Sequence, residues 1–354
     1  MDGLRAIAAL GVLWIHCWAS YGAPRFAVKG FDITSVLALG GNGVDLFFVI
    51  SGFCMYYFYV RNKTFNYADF GRFIKQRWIR LSPAFYSACV VYIGIRLYDN
   101  PSFNLTKSAV SSLFYLNGIF YEYTPQSILW SLTAEWQFYL IVPFLLIYQN
   151  RVGFAWVFGT IGLIILFLAV ISVLLLKSKS DLLTNQIIFR YFQFMWGILA
   201  ARLILVFPQY HLKYRPLIFL GFVLITYVGR ICISNSVLNL SVHYYNLFKL
   251  LGFSIMGLGF SGILYLTLTS QRLLKVLLGN ALISFIGRVS FSFYLWHALV
   301  HAIIGTYLIK KFGNGAGIIV PVINFTVSTI VLIPLSTLSF RLLEKPFMAR
   351  KPNK

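Results

Sequence analysis

Of 354 residues, 59% are hydrophobic and 11% charged, against roughly 45–50% and about 25% in a soluble domain; with a mean hydropathy of +0.78, this excludes a water-soluble globular enzyme and points to a polytopic membrane protein. Thirty Lys+Arg against nine Asp+Glu give a net charge of +21, a balance that in a soluble chain would indicate nucleic acid. Few segments here are polar enough to build such a reader, so the excess reads as cytoplasmic Lys and Arg that orient helices and meet anionic lipid.

Apolar runs long enough to cross about 30 Å of hydrocarbon at 1.5 Å per residue fall at 4–20, 38–60, 82–98, 127–149, 153–176, 187–207, 216–234, 247–269, 285–309 and 317–341. The predicted fold is therefore all-α, an integral membrane bundle of about ten transmembrane helices. The first run lacks a basic leader and a small-residue exit and reads as a retained helix. The stretch Ser108 to Tyr123 is too interrupted for a span and reads as a re-entrant or surface helix. With ten spans, fifteen basic residues gather on the side of the termini, most densely in the predicted loop 61–81, and seven on the other; this places both termini in the cytoplasm. No repeat or polar linker divides the chain, so residues 1–348 form one membrane domain and 349–354 a short basic cytoplasmic tail. Cys17, Cys54, Cys89 and Cys232 are scattered through apolar runs without metal-ligand spacing, which reads as packing.

Chemistry-bearing residues recur along the chain. The first run, MDGLRAIAALGVLWIHCW, holds Arg5 and His16, eleven apart and so within about 20° on one helix face and about 16 Å apart along the axis. Ionisable groups at such depth face protein and mark substrate paths or paired charges, although Arg5 alone could snorkel and a lone His could simply bond a carbonyl. The second run opens GGNGVDLFFVISGF, with Asp45 at the level of His16. It either orients that imidazole as a general base requires or caps its own helix. In FIKQRWIRLSP, Arg77 and Arg80 are spaced to share a helix face and suit bidentate phosphate contacts, or contacts to anionic headgroups; Pro83 marks the start of the third span. SLTAEWQFY places Glu135 among Trp130, Trp136 and Tyr139. The carboxyl group needs a partner or a proton at that depth, while the aromatics suit sugar stacking or a membrane-interface belt. The ninth run, GRVSFSFYLWHALVH, carries His297 and His301 on one face, without the carboxylate or thiolate company of a metal site.

In order and spacing these blocks, together with the closing LEKPF, resemble the membrane acyltransferase family 3 over nearly the whole chain. The resemblance implies an enzyme that moves an acyl group, most often acetyl, from cytoplasmic acetyl-CoA or another acyl-CoA to a hydroxyl of an extracytoplasmic glycan or glycolipid, in a bacterial inner membrane and without a metal. It implies that Arg5 and His16 form the Arg-x10-His pattern, with His16 as base, and that Arg77 and Arg80 contact the donor. Asp45 and Glu135 match acidic positions of the catalytic blocks, while Trp130, Trp136, Tyr139 and His297 are the candidate acceptor contacts. Some relatives append an SGNH hydrolase-like domain; with only a short stretch after Phe347, none is expected here. The expected partners are acyl-CoA, a glycan or lipid-linked sugar and anionic lipid, with no nucleic acid; self-association is open. The rival readings are a glycan or lipid transporter or polymerase, and a non-catalytic receptor.

Overall fold

The computed structural model describes residues 1–28, 31–61, 64–176, 182–207, 214–234, 238, 240–269, 276, 278–313 and 317–348. The tail 349–354 lies outside these residues, as do Lys29, Lys63, Lys177, Lys179, Lys213, Arg272 and Lys275 of the charge comparison.

Among the described residues the structure is helical apart from loops and one two-residue antiparallel pairing, Ala27–Val28 with Phe31–Asp32. Its principal helices are α1 (Asp2–Ala19), α2 (Gly43–Val60), α3 (Tyr67–Asp99), α4 (Leu105–Leu113), α5 (Trp130–Val152), α6 (Phe154–Leu176), α7 (Ile187–Val206), α8 (Arg215–Cys232), α9 (Val242–Thr269), α10 (Ala281–Arg288), α11 (Ser290–Phe312) and α12 (Ile319–Ser339). Among the described residues nine segments are long and apolar enough to cross a membrane, built on α2, α3, α5 to α9, α11 and α12. The protein is an integral membrane protein of the helical-bundle class. The first expected span is the exception. In its 18 residues α1 carries Asp2, Arg5 and His16, and it is not one of the nine. Such a helix must turn its polar groups toward protein, since hydrocarbon offers them no partner.

The third span differs from the sequence expectation. Instead of a basic loop 61–81 ending near Pro83, helix α3 runs unbroken for 33 residues with Pro83 inside it. Its start is fixed by a capping box in which the Asn66 side chain accepts from Ala68 N at 3.0 Å and Asp69 from Asn66 N at 3.3 Å. Proline removes one ladder hydrogen bond and crowds the preceding turn, a local defect that does not end this helix. Arg72, Lys75, Arg77 and Arg80 thus sit at helical spacing. At about 50 Å, α3 is also much longer than a 30 Å hydrocarbon layer.

Residues group into two compact units: Met1–Phe47 with Arg80–Ala88 and Gln271–Lys354, and Phe48–Ile79 with Cys89–Ser270. In the first, α1 packs against residues 38–42, α10, α11 and α12. Glycines permit this approach: a Cβ on Gly43 would lie 2.1 Å from the Ala8 carbonyl oxygen, and one on Gly287 1.9 Å from that of Asp2. In the second, α9 packs on α7 and α8, and α6 on α5 and α7. Here a Cβ on Gly197 would fall 2.0 Å from the Val49 carbonyl oxygen and one on Gly52 2.1 Å from that of Phe194. Small residues at crossings give van der Waals contact where lipid removes the hydrophobic drive. The most apolar helix, α6, has only 22% of its spanning window buried, against 67% for the window containing α5, so α6 is largely a lipid-facing surface.

The glycine contacts give a direct test. Gly43→Ala should lower the thermal midpoint of the detergent-solubilised protein, at a cost of about 1–3 kcal/mol for overpacking. Gly71→Ala, with open space at the Cβ position, should leave the midpoint unchanged or raise it, by up to about 1 kcal/mol.

Candidate active site

Because α1 is helical from Asp2 to Ala19, the Arg5 and His16 register expected from the sequence holds. The half-buried His16 ring meets two imidazoles of α11, with centroids 5.1 Å from His297 at an interplanar angle of 46° and 5.6 Å from His301 at 26°. His297 is wholly buried. Its Nδ1 bonds the Tyr294 carbonyl oxygen one turn earlier, while its Nε2 and the Nδ1 of His301 are buried without a hydrogen-bond partner. Asn324 of α12 braces the group, donating to the His301 carbonyl at 3.2 Å and to the Tyr21 hydroxyl at 3.3 Å and accepting from Ser328 Oγ at 2.9 Å. Among the described residues no three His, Cys, Asp or Glu side chains are arranged to hold a metal ion.

Asp45 lies buried in the first turn of α2 and accepts from Asn42 Nδ2 at 2.9 Å, where the helix dipole favours an anion. The rings flanking His16 are imidazoles. Arg5 and Arg80 share the field of an acid in the closing LEKPF block. Glu344, buried in the π-helical turn Phe340–Glu344 that follows α12, acts electrostatically on both arginines. Ser292 Oγ donates to its carboxyl group and lies 2.9 Å from Ser339 Oγ, which accepts from Trp296 Nε1 at 3.0 Å. The Nε of Arg5 is buried with no hydrogen-bond partner.

A second polar group forms within the other unit. Arg77 donates from Nη2 to the Tyr59 hydroxyl at 3.1 Å, and its guanidinium lies over the rings of Tyr59, Phe73 and Tyr139 at 5.6, 5.7 and 6.0 Å. Its Nε is buried and unbonded. Glu135 accepts from the Tyr139 hydroxyl and, at 2.9 Å, from Ser51 Oγ, and the two hydroxyl oxygens stand 3.2 Å apart. The carboxyl group thus has the partners its depth demands. Trp136 stacks on Tyr115 with centroids 5.1 Å apart and meets Trp78 and Tyr139 edge-on. Trp130 receives the Arg190 guanidinium 5.0 Å above its ring. These aromatics are knitted into protein contacts on α5.

The start of α5 is held by a polar knot. Gly118 N donates to Thr133 Oγ1 at 2.9 Å, Gln186 donates to the Gly118 carbonyl, and Gln137 donates to Gln186 Oε1 at 2.7 Å. Beside it, Asn185 donates to the Tyr121 hydroxyl at 2.5 Å, and burial pushes the Tyr121 phenol above its ordinary pKa. Helix α4 turns its serines inward: Ser108, Ser111 and Ser112 are buried, whereas Leu105, Val110 and Leu113 are exposed.

The family described as "Acyltransferase domain" matches residues 1–341. The chain belongs to the acyltransferase 3 family. A protein of Staphylococcus aureus strain COL named "Putative O-acetyltransferase" is 24% identical over 98% of this chain and 56% of its own length. One of Bacillus subtilis strain 168, named "Putative peptidoglycan O-acetyltransferase", is 28% identical over 98% of this chain and 54% of its own. The peptidoglycan O-acetyltransferase of Listeria monocytogenes is 32% identical over 43% of this chain and 25% of its own. This acyltransferase 3 chain therefore spans about half the length of the curated relatives it matches. No solved structure matches it.

Sequence reasoning missed Ser51, Tyr59 and Glu344 as members of these groups. Glu344 carried a readable signal, being one of nine acids in the chain and lying at the end of an apolar run. Ser51 and Tyr59 carried none, because hydroxyls are unremarkable in helices until a carboxylate or guanidinium is found beside them. Glu135→Leu should remove the acceptor shared by the Ser51 and Tyr139 hydroxyls; since one can still donate to the other across 3.2 Å, one proton is left unmet, at about 1–3 kcal/mol, read as a lowered midpoint in detergent. Glu135→Gln, which keeps an acceptor oxygen, should recover most of the loss.

Proposed function

We propose that this chain is a membrane O-acyltransferase, in the first instance an O-acetyltransferase, with His16 as general base. One observation carries the reading: within a chain matched by the acyltransferase family over residues 1–341, the half-buried His16 sits on the face of α1 that holds Arg5 and against two imidazoles, the wholly buried His297 and the half-buried His301. In the reaction the acceptor hydroxyl oxygen attacks the thioester carbonyl carbon while His16 takes the hydroxyl proton. The carbon–sulfur bond then breaks, and the leaving thiolate recovers the proton. The donor is cytoplasmic acetyl-CoA or another acyl-CoA. Its phosphates are polyanionic, and Arg77 and Arg80, with Arg5, supply charge-assisted contacts.

The acceptor is a hydroxyl of an envelope glycan or lipid-linked sugar outside a bacterial inner membrane. That two relatives bear names of peptidoglycan O-acetyltransferases makes peptidoglycan the first acceptor to try. Trp130, Trp136 and Tyr139 are the candidates for stacking on that sugar. Asp45 and Glu135 stand as supporting acids, Glu135 holding Tyr139 under the Arg77 guanidinium. With α1 crossing as a tenth span beside the nine apolar ones, the excess of Lys and Arg assigns both termini to the cytoplasm.

Inside-out membrane vesicles from the producing cell, supplied with acetyl-CoA labelled in the acetyl group, should incorporate ester-linked label into envelope glycan. His16→Ala should reduce incorporation at least 100-fold, at the low end of what general-base catalysis contributes, about 10²–10⁴; full incorporation by that variant would reject His16 as base. Arg77→Ala and Arg80→Ala should each raise the apparent KM for the donor roughly tenfold, and unchanged values would reject them as donor contacts. Substrate accumulation in vesicles without covalent label would favour transport instead.

A further inference from the structure

We infer that His297 is a positioning residue for His16, holding that base in one tautomer from a fully buried site instead of touching the acceptor. The inference rests on the reading of His16 as the base. The Nδ1 of His297 bonds the Tyr294 carbonyl oxygen. A carbonyl can only accept, so the proton is on Nδ1 and the lone pair on Nε2. That Nε2 is buried and has no donor, and an unmet acceptor in such surroundings is costly.

The group at hand to meet it is His16. An imidazole N–H···N bond sets ring centroids about 5 Å apart, and the His16 and His297 centroids are 5.1 Å apart with the planes tilted by 46°. A small rotation of His16 would close the bond. His301 lies farther off and is unsuited. Its ring lies 5.6 Å away at only 26° to His16, so the two present faces to each other, not a lone pair to an N–H. His297 is also wholly buried, which places it behind the base and out of reach of an incoming hydroxyl. Once its proton is committed to His297, His16 presents its other nitrogen as the free lone pair, and the imidazolium formed in the reaction keeps an acceptor. In serine hydrolases a carboxylate does this orienting; here it would fall to a neutral ring locked by a backbone carbonyl.

Two amide substitutions separate this from a merely structural role. His297→Asn keeps a donor for the Tyr294 carbonyl and loses the acceptor at the Nε2 position, whereas His297→Gln reaches the Nε2 position and gives up the Tyr294 bond. In the vesicle assay with labelled acetyl-CoA, His297→Asn is expected to lower kcat about 100-fold with donor KM unchanged, while His297→Gln retains a rate within about tenfold of the parent. Wild-type kcat in His297→Asn would overturn the inference. Equal losses in the two variants would also overturn it, since the ring would then be needed only as filling. His16→Ala in parallel tells the two claims apart: if that variant stays active, the base reading itself has failed; if it is inactive while His297→Asn is fully active, only the positioning role has.

Discussion

A cation placed in hydrocarbon must find an electron-rich partner inside the protein, and this chain has 30 Lys and Arg for only nine Asp and Glu. Carboxylates cannot serve them all, and much of the polar architecture answers that shortage. Arg77 lies over three aromatic rings. Arg190 lies between Trp130 and Phe253 and gives its Nε proton to the Thr184 carbonyl at 2.9 Å. Arg202 sits 4.2 Å over Phe154 and donates to the Tyr56 hydroxyl at 3.3 Å. Cation–π contacts reach about 2 kcal/mol or more when desolvated, enough to keep a guanidinium charged where no carboxylate is at hand. The 18% aromatic content is thus partly electrostatic equipment. A guanidinium held by rings also keeps its N–H groups freer for a phosphate than one locked in a carboxylate fork.

The scarce acids are correspondingly specialised. Glu135 gathers two hydroxyls, Glu344 gathers a serine and the fields of two arginines, and Asp45 accepts from Asn42, just ahead of its own helix. Each unit therefore has a polar nucleus of different chemistry, imidazoles and a carboxylate with two arginines in one, a carboxylate with hydroxyls and a single arginine in the other. Glycine contacts against backbone carbonyls bring the helices close enough for these short side chains to meet.

Most of the helical layout was legible from the sequence because apolar run length is set by bilayer thickness. Nine of the ten expected runs correspond to segments apolar enough to span, and the Arg5 to His16 register followed from helix periodicity alone. Two features escaped for physical reasons. The start of α3 depends on the reciprocal Asn66 and Asp69 cap, a signal weaker to the eye than a run of basic residues followed by proline. The environment of His16 depends on which helix packs beside α1. A carboxylate was the natural orienting partner to expect, yet α11 brings imidazoles, and no spacing within one helix reveals its neighbour.

Helix α4 shows how far the solvent dictates such a chain. Its buried side is serine and its exposed side is leucine and valine, the reverse of a helix on a water-soluble protein. Released into water as a nine-residue peptide, the same segment is too short to hold a helix, and Ser108, Ser111 and Ser112 would meet solvent. An antibody raised against that peptide would learn a surface the intact protein never shows.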